Sequence, residues 1–251
     1  MRILSVPSEQ GNLDQNKGCG KAPPLILEGR EFDETPIVPS NIEDTDKAIY
    51  AKAKEVLAKE KALFVGGDHS ISYALVKGFS ETTDGKKALV VFDAHPDCVQ
   101  FFAPLSHEDW IQGVVEEKLV KGENILQIGI RKVDPLETEY IKHNKIKVVS
   151  AVEVKSKPVQ VMDKLLELIA LNDEIYVSID IDGFDPSIAP GTGYLVPNGL
   201  LEEEFMPLLD ALLKSGKARG IDLVEVNPLK DVEGRTVELA KRIVEKVIEN
   251  D

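Results

Sequence analysis

Short, almost wholly apolar runs alternate with longer charge-rich ones along the whole chain, and this alternation restricts the fold more than any other feature. The apolar runs are RILSVP at the start, ALFVG (62–66), ALVVFD (88–93), NILQIGI (124–130), KVVS (147–150), EIYVSID (174–180) and ARGIDLVEV (218–226). Strands with no polar face are strands buried on both faces. Between them, residues 43–60, 157–171, 201–214 and 234–250 mix apolar positions with Lys and Glu and read as helices. Strand–helix alternation predicts an α/β chain with a parallel sheet and helices on both sides. With no repeat, low-complexity tract or linker, one domain over 1–251 is expected. The Gly-, Pro- and Asn-containing stretch 7–41 reads as a long ordered loop after the first strand.

Charge narrows the classes of partner. Asp and Glu number 44 against 30 Lys and Arg, a formal charge of -14, which repels phosphate backbones and anionic lipid. Neither nucleic acid nor a membrane surface is therefore an expected partner. Only Cys19 and Cys98 are present, too few for a disulfide scaffold. The opening MRILSVPSEQG lacks the apolar core of a secretory signal, and the expectation is a cytoplasmic protein.

Chemistry is concentrated where four apolar runs end. GGDHS (66–70) follows ALFV, DAHPD (93–97) follows ALVVF, DIDGFDP (180–186) follows EIYVSI, and EVNP (225–228) follows GIDLV. Ligands of open α/β sheets bind beyond the carboxyl ends of the strands, so the four segments point at one site. Asp93, His95 and Asp97 stand at i, i+2 and i+4, a spacing that aims all three the same way if the chain is extended there. Asp180 and Asp182 repeat the spacing. No Lys or Arg lies within these segments, so converging carboxylates need another counter-charge, and a pair of divalent cations supplies it. Carboxylates and imidazoles without thiolates favour Mn²⁺, with Fe, Co or Ni possible, over structural zinc.

Plainer readings stand beside each motif. GGDHS by itself is equally a strand-to-helix turn with Asp68 as a cap, and DIDGFDP a turn with Asx-type hydrogen bonds. Cys98 and Trp110 read as packing residues, and His143 as a surface residue. Two rival classes are a binuclear metallophosphoesterase, although its GNH element is absent, and a non-catalytic relative that keeps the metals.

Together GGDHS, DAHPD, SIDIDGFDPSIAPGTG (178–193) and the Glu of DLVEVNP resemble the arginase/agmatinase (ureohydrolase) family, with KGCGKAPPLIL (17–27) similar to its Gly-rich start. The resemblance implies a three-layer α/β/α fold around a mainly parallel sheet. It implies two Mn²⁺ per chain, one held by His69, Asp93, Asp97 and Asp180, the other by His95, Asp93, Asp180 and Asp182. A hydroxide bridging the two would attack the carbon of a small cationic guanidine or amidine, oriented by Asp97, and urea would leave if the substrate is a guanidine. Glu225 resembles the family carboxylate that pairs with the guanidinium, and His107 the histidine that shuttles a proton to the leaving amine. Asp134 matches an acid that contacts the far end of the substrate. A homo-oligomer, trimer or hexamer, is also implied.

The far end of the substrate is where this chain departs from the family's pattern. The segment CVQFFAPLS between Asp97 and His107 is short and apolar, with Phe101 and Phe102, where arginases carry an Asn- and Ser/Thr-rich loop. Lys132 replaces an acid common at its position, and GTGYLVPNG departs from the usual rim. An agmatinase-like specificity is the expectation, with arginase, guanidino-acid hydrolase and formimidoylglutamase as alternatives.

Overall fold

The computed structural model describes residues 1–99 and 103–251; Phe101 and Phe102 lie outside the described residues. Eight strands are found among the described residues: β1 (Arg2–Val6), β2 (Asp33–Glu34), β3 (Ala62–Gly66), β4 (Lys87–Phe92), β5 (Ile125–Ile130), β6 (Lys147–Ser150), β7 (Glu174–Asp180) and β8 (Ala218–Val224). They form one sheet in the order β2-β1-β3-β8-β7-β4-β5-β6, and every pairing is parallel.

Alternation along each strand separates the two faces. In β4, Ala88, Val90 and Phe92 join the core on one side while Leu89 and Val91 join the other. The first side is covered by α1 (Ala22–Ile26), α6 (Ala151–Ser156), α7 (Pro158–Leu171), α8 (Glu202–Lys214) and α9 (Arg235–Glu249). The second is covered by α2 (Ile42–Leu57), α3 (Ile71–Thr82), α4 (Trp110–Glu116) and α5 (Pro135–Asn144). The result is the expected three-layer α/β/α arrangement, with a core on each face of the sheet. Stretch 7–41 is more than a loop, because α1 and the edge strand β2 lie within it.

Helix ends follow local chemistry. Asn41 caps α2 by accepting the amide of Asp44, and Asp134 with Glu137 forms a capping box at α5. Gly67 follows β3 where the chain passes the first loop, and a Cβ there would meet Ser8 O at 1.8 Å. Only glycine allows that approach.

Strand order is what builds the site. β3, β8, β7 and β4, the strands that precede the four polar motifs, are consecutive neighbours at the middle of the sheet. Their carboxyl ends deliver GGDHS, EVNP, DIDGFDP and DAHPD side by side.

Candidate metal centre

The structure brings His69, Asp93, His95, Asp97, Asp180 and Asp182 into one cluster. His69 Nδ1 lies 3.1 Å from Asp93 Oδ2, 3.0 Å from Asp97 Oδ2 and 3.1 Å from Asp180 Oδ2. His95 Nδ1 lies 3.1 Å from Asp182 Oδ2 and 3.5 Å from Asp93 Oδ1. Asp93 thus presents one oxygen to each imidazole. The two groups His69, Asp93, Asp97 and Asp93, His95, Asp182 each gather their ligand atoms within 4.8 Å of one another.

The route to this geometry differs from simple alternation. β4 ends at Phe92 and the chain bends, with Asp97 at φ 49 in the left-handed region. Asp97 therefore turns back towards His69, while His95 is sent to Asp182. Hydrogen bonds hold the turn: the amide of His95 donates to Asp93 Oδ1 at 2.7 Å, that of Ala94 to Asp182 Oδ1 at 3.1 Å, and that of Asp182 to Asp180 Oδ1 at 2.7 Å.

Protons and charge show what the cluster lacks. Ser178 donates its hydroxyl hydrogen to Asp222 Oδ1 at 2.6 Å, so it accepts from His69 Nε2 at 2.9 Å. In the neutral ring that leaves a lone pair on Nδ1, facing three carboxylates. His69 Nδ1 and Asp93 Oδ2 are both buried without a hydrogen-bond partner among the described residues. Burial and neighbouring Asp93 raise the Asp97 carboxyl pKa, and burial with Asp182 and Asp93 pushes that of Asp180 well up. Burial disfavours a charged imidazole at His69 and His95, yet surrounding carboxylates hold the first well above the ordinary value and the second at about 12. Orphaned lone pairs and unneutralised carboxylates facing inward are the electrostatics of a site built for cations. The residues fit two divalent ions: an all N/O donor set, with one carboxylate placed between the two groups.

Beside the cluster, Glu225 adopts φ 65 and is buried with His107. Its Oε1 accepts the amide of His69 at 2.7 Å and lies 3.2 Å from His107 Nδ1. Asn16 donates to Glu225 Oε2 at 2.5 Å and is itself held by Asn227 at 2.7 Å. Burial opposes ionisation of Glu225, but His107, the His69 amide and Asn16 outweigh it and lower its pKa. Burial likewise opposes charge on His107, and Glu225 outweighs it, lifting the pKa to about 9. A cavity of about 370 Å³ opens onto these groups, lined by His95, Asp97, Asp180, Asp182, His107 and Glu225, and further by Glu108, Lys132, Asp134 and Tyr194.

A profile of the arginase family matches residues 3–249. The chain belongs to the arginase family. It is 28% identical to the arginase of Bacillus subtilis (strain 168) over 214 residues, 78% of this chain and 72% of that one. It is 32% identical to the agmatinase of Blochmanniella floridana over 192 residues, 76% of this chain but 61% of that one. The crystal structure of arginase from Bacillus subtilis superimposes with a TM-score of 0.89 at 25% identity, covering 99% of this chain and 98% of that one. Several curated relatives are matched over less than two thirds of their own length. Members of the arginase family are metal-dependent hydrolases of amidine and guanidine C–N bonds.

In this arginase-family chain the site extends beyond the residues the motifs suggest. Trp110, read from sequence as packing, donates Nε1–H to Asp97 Oδ2 at 2.9 Å. Asp222, in the middle of β8 and 0% exposed, also accepts from Ser72 at 2.9 Å and Tyr176 at 3.0 Å, and through Ser178 it orients His69. An acid inside the apolar run GIDLV is a sequence signal for such a role; Asn16 carries none. Arg131 donates to the carbonyls of Gly129, Asp182, Gly183, Phe184 and Val196 at 2.7–3.2 Å, tying the turn that bears Asp182 to β5. Asp134 lines the cavity, while its Oδ1 accepts the amide of Leu136 at 2.8 Å and caps α5. Cys98 belongs to neither ligand group, and His143 is exposed.

Proposed function

We propose that the chain, as one ureohydrolase-like domain over 1–251, hydrolyses a C–N bond of a small cationic guanidine or amidine and releases urea from guanidines. The observation that carries this reading is the Asp93 carboxylate shared between His69 and His95, one oxygen to each, beside the buried Glu225–His107 pair. His69, Asp93, Asp97 and Asp180 would hold one Mn²⁺, and His95, Asp93, Asp180 and Asp182 the second. Two such cations would supply Lewis-acid charge that lowers the pKa of bound water and polarises the substrate.

The chain's own residues do the rest. Glu225, kept ionised by His107, the His69 amide and Asn16, pairs with the planar guanidinium through charge-assisted hydrogen bonds and sets the approach of its carbon. Asp97, held by Trp110, orients the attacking water. The departing amine needs a proton. His107 is oriented by Glu225 at Nδ1, and its Nε2 is buried without a partner among the described residues. Nε2 is therefore the atom that delivers the proton.

The finer reading is agmatinase-like. The apolar wall expected from Phe101 and Phe102 falls outside the described residues, but Val99, Val133 and Pro135 line the cavity and suit an aliphatic spacer. A trimer or hexamer and a cytoplasmic location accompany this reading; among the described residues no helix is long and apolar enough to cross a membrane. Urea release from agmatine, arginine and 4-guanidinobutyrate after Mn²⁺ loading tests the function. Turnover of none of them removes it.

A further inference from the structure

One residue of the cavity wall is explained neither by metal binding nor by proton transfer. Tyr194 lies in the segment that follows the Asp182 turn, and its ring reaches both halves of the site. It meets the His95 ring edge-on at 5.4 Å between centroids and stacks near-parallel on the His107 ring at 5.9 Å. Its hydroxyl donates to Glu108 Oε1 at 2.9 Å, joining this segment to the one that carries His107.

The ring is built in place. On one side of Tyr194, the amide of Gly191 donates to Thr236 Oγ1 at 2.7 Å and its carbonyl accepts from Asn227 at 2.7 Å. A Cβ on Gly191 would meet Asn227 O at 2.9 Å and Asp231 Cβ at 2.7 Å, so the backbone is pressed against its support. On the other side, Val196 O takes two hydrogen bonds from Arg131, at 3.1 and 2.7 Å. The segment is thus anchored three residues before and two residues after the aromatic ring.

We propose that Tyr194, held by Glu108, is the specificity wall of the pocket, selecting an unbranched alkylguanidine with a cationic far end over one bearing an α-carboxylate. This rests on the hydrolase reading above and deepens it. A guanidinium seated at Glu225 shares its cavity with Tyr194 and with the apolar Val99, Val133 and Pro135, so its tail lies among these side chains. The face of an aromatic ring is electron-rich, so it favours a passing methylene chain or cation and disfavours an anion. Away from the metal centre, Glu108, Asp134 and Glu137 add carboxylates to the lining, and Lys132 is the one Lys or Arg among the described lining residues. A terminal ammonium is attracted by this balance, and an added carboxylate meets repulsion beside Glu108.

Two measurements on the Mn²⁺-loaded protein test the assignment. In the first, urea release from agmatine is compared with that from arginine and 4-guanidinobutyrate for wild type, Tyr194→Ala and Tyr194→Phe. Wild type should favour agmatine in kcat/KM by about tenfold or more. Tyr194→Ala should raise the agmatine KM about tenfold with a much smaller change in kcat, and Tyr194→Phe, which keeps the ring, should retain most of the preference. In the second, calorimetry compares two unreactive probes, 1,5-diaminopentane and lysine, which differ only by the carboxylate. The diamine should bind at least about tenfold tighter, and Tyr194→Ala should abolish the difference. Equal binding of the two probes by wild type, a preference unchanged in Tyr194→Ala, or faster turnover of 4-guanidinobutyrate than of agmatine overturns the wall. If the probes are discriminated and no guanidine is hydrolysed, the wall stands and the hydrolase reading falls.

Discussion

Trp110 donates its indole N–H to Asp97 Oδ2 at 2.9 Å while its ring lies 4.7 Å from the ring of His69. One side chain at the start of α4 therefore supports two residues of the candidate metal centre from different strands. Groups that orient metal ligands typically account for about 10–100-fold in affinity. Trp110→Phe keeps an aromatic ring and removes the N–H, so Mn²⁺ affinity measured by titration calorimetry should fall by about that factor while the fold persists. Unchanged affinity would show that Asp97 does not depend on the indole.

Removing divalent metal should destabilise the protein even where activity is not followed. Asp93, Asp97, Asp180 and Asp182 are all buried, and among the described residues only imidazoles stand as counter-charges within salt-bridge distance. A ligand at about 100 times its dissociation constant adds roughly 2.7 kcal/mol. Scanning calorimetry should therefore record a lower Tm in a chelator and its recovery with Mn²⁺. Identical melting curves in both would argue against a metal at this cluster.

His107 links stability to pH. Its pKa rises from 6.5 to about 9 in the folded chain, where Glu225 outweighs burial. A raised pKa means stabilisation fully present below about pH 6.5 and lost as pH climbs through about 9, worth roughly 3 kcal/mol. Urea denaturation of metal-free protein at pH 6, 7.5, 9 and 10 should show that contribution, and His107→Asn should reduce the slope by about that amount while the metal-centre histidines keep theirs. A slope of the same size in the variant assigns it elsewhere.

Arg131 binds carbonyl groups rather than a carboxylate, and burial lowers its pKa. Arg131→Ala strands several carbonyls of the Asp182 turn and should cost about 2–4 kcal/mol in denaturant unfolding. Because that turn carries Asp182 but not Asp97, one Mn²⁺ should weaken more than the other, giving two resolved binding events by calorimetry. Equal loss at both sites would assign Arg131 to general folding instead.

Much of the site could be read from sequence because each motif directly follows an apolar run. GGDHS, DAHPD and DIDGFDP name their donors within a few residues of a strand end, where local rules are strong. The supporting residues were harder to see. Asp222 and Ser178 sit inside strands, and the links from Asp222 to Ser178 and from Ser178 to His69 span 44 and 109 positions. Trp110 looked like core because its ring is indeed buried; only its N–H marks the site. Alternation misjudged DAHPD because Asp97 leaves extended geometry for φ 49, a turn decided by what packs around it.

The sequence by itself determined that the chain forms a parallel sheet with polar strand ends, because buried strands and amphipathic helices are written in local periodicity. It also determined that the excess of carboxylates at those ends calls for cations, since charge balance follows from residue type alone. Only the tertiary structure decided that β8 and β7 insert between β3 and β4, making the four motif strands neighbours. It also decided which oxygen of Asp93 faces which histidine, and that Tyr194 stands over both His95 and His107. Those relations join segments up to about 150 residues apart, as in the His69 amide held by Glu225 with 156 positions between them. Side-chain direction across such distances is set by packing and hydrogen bonding in three dimensions, which no local pattern encodes.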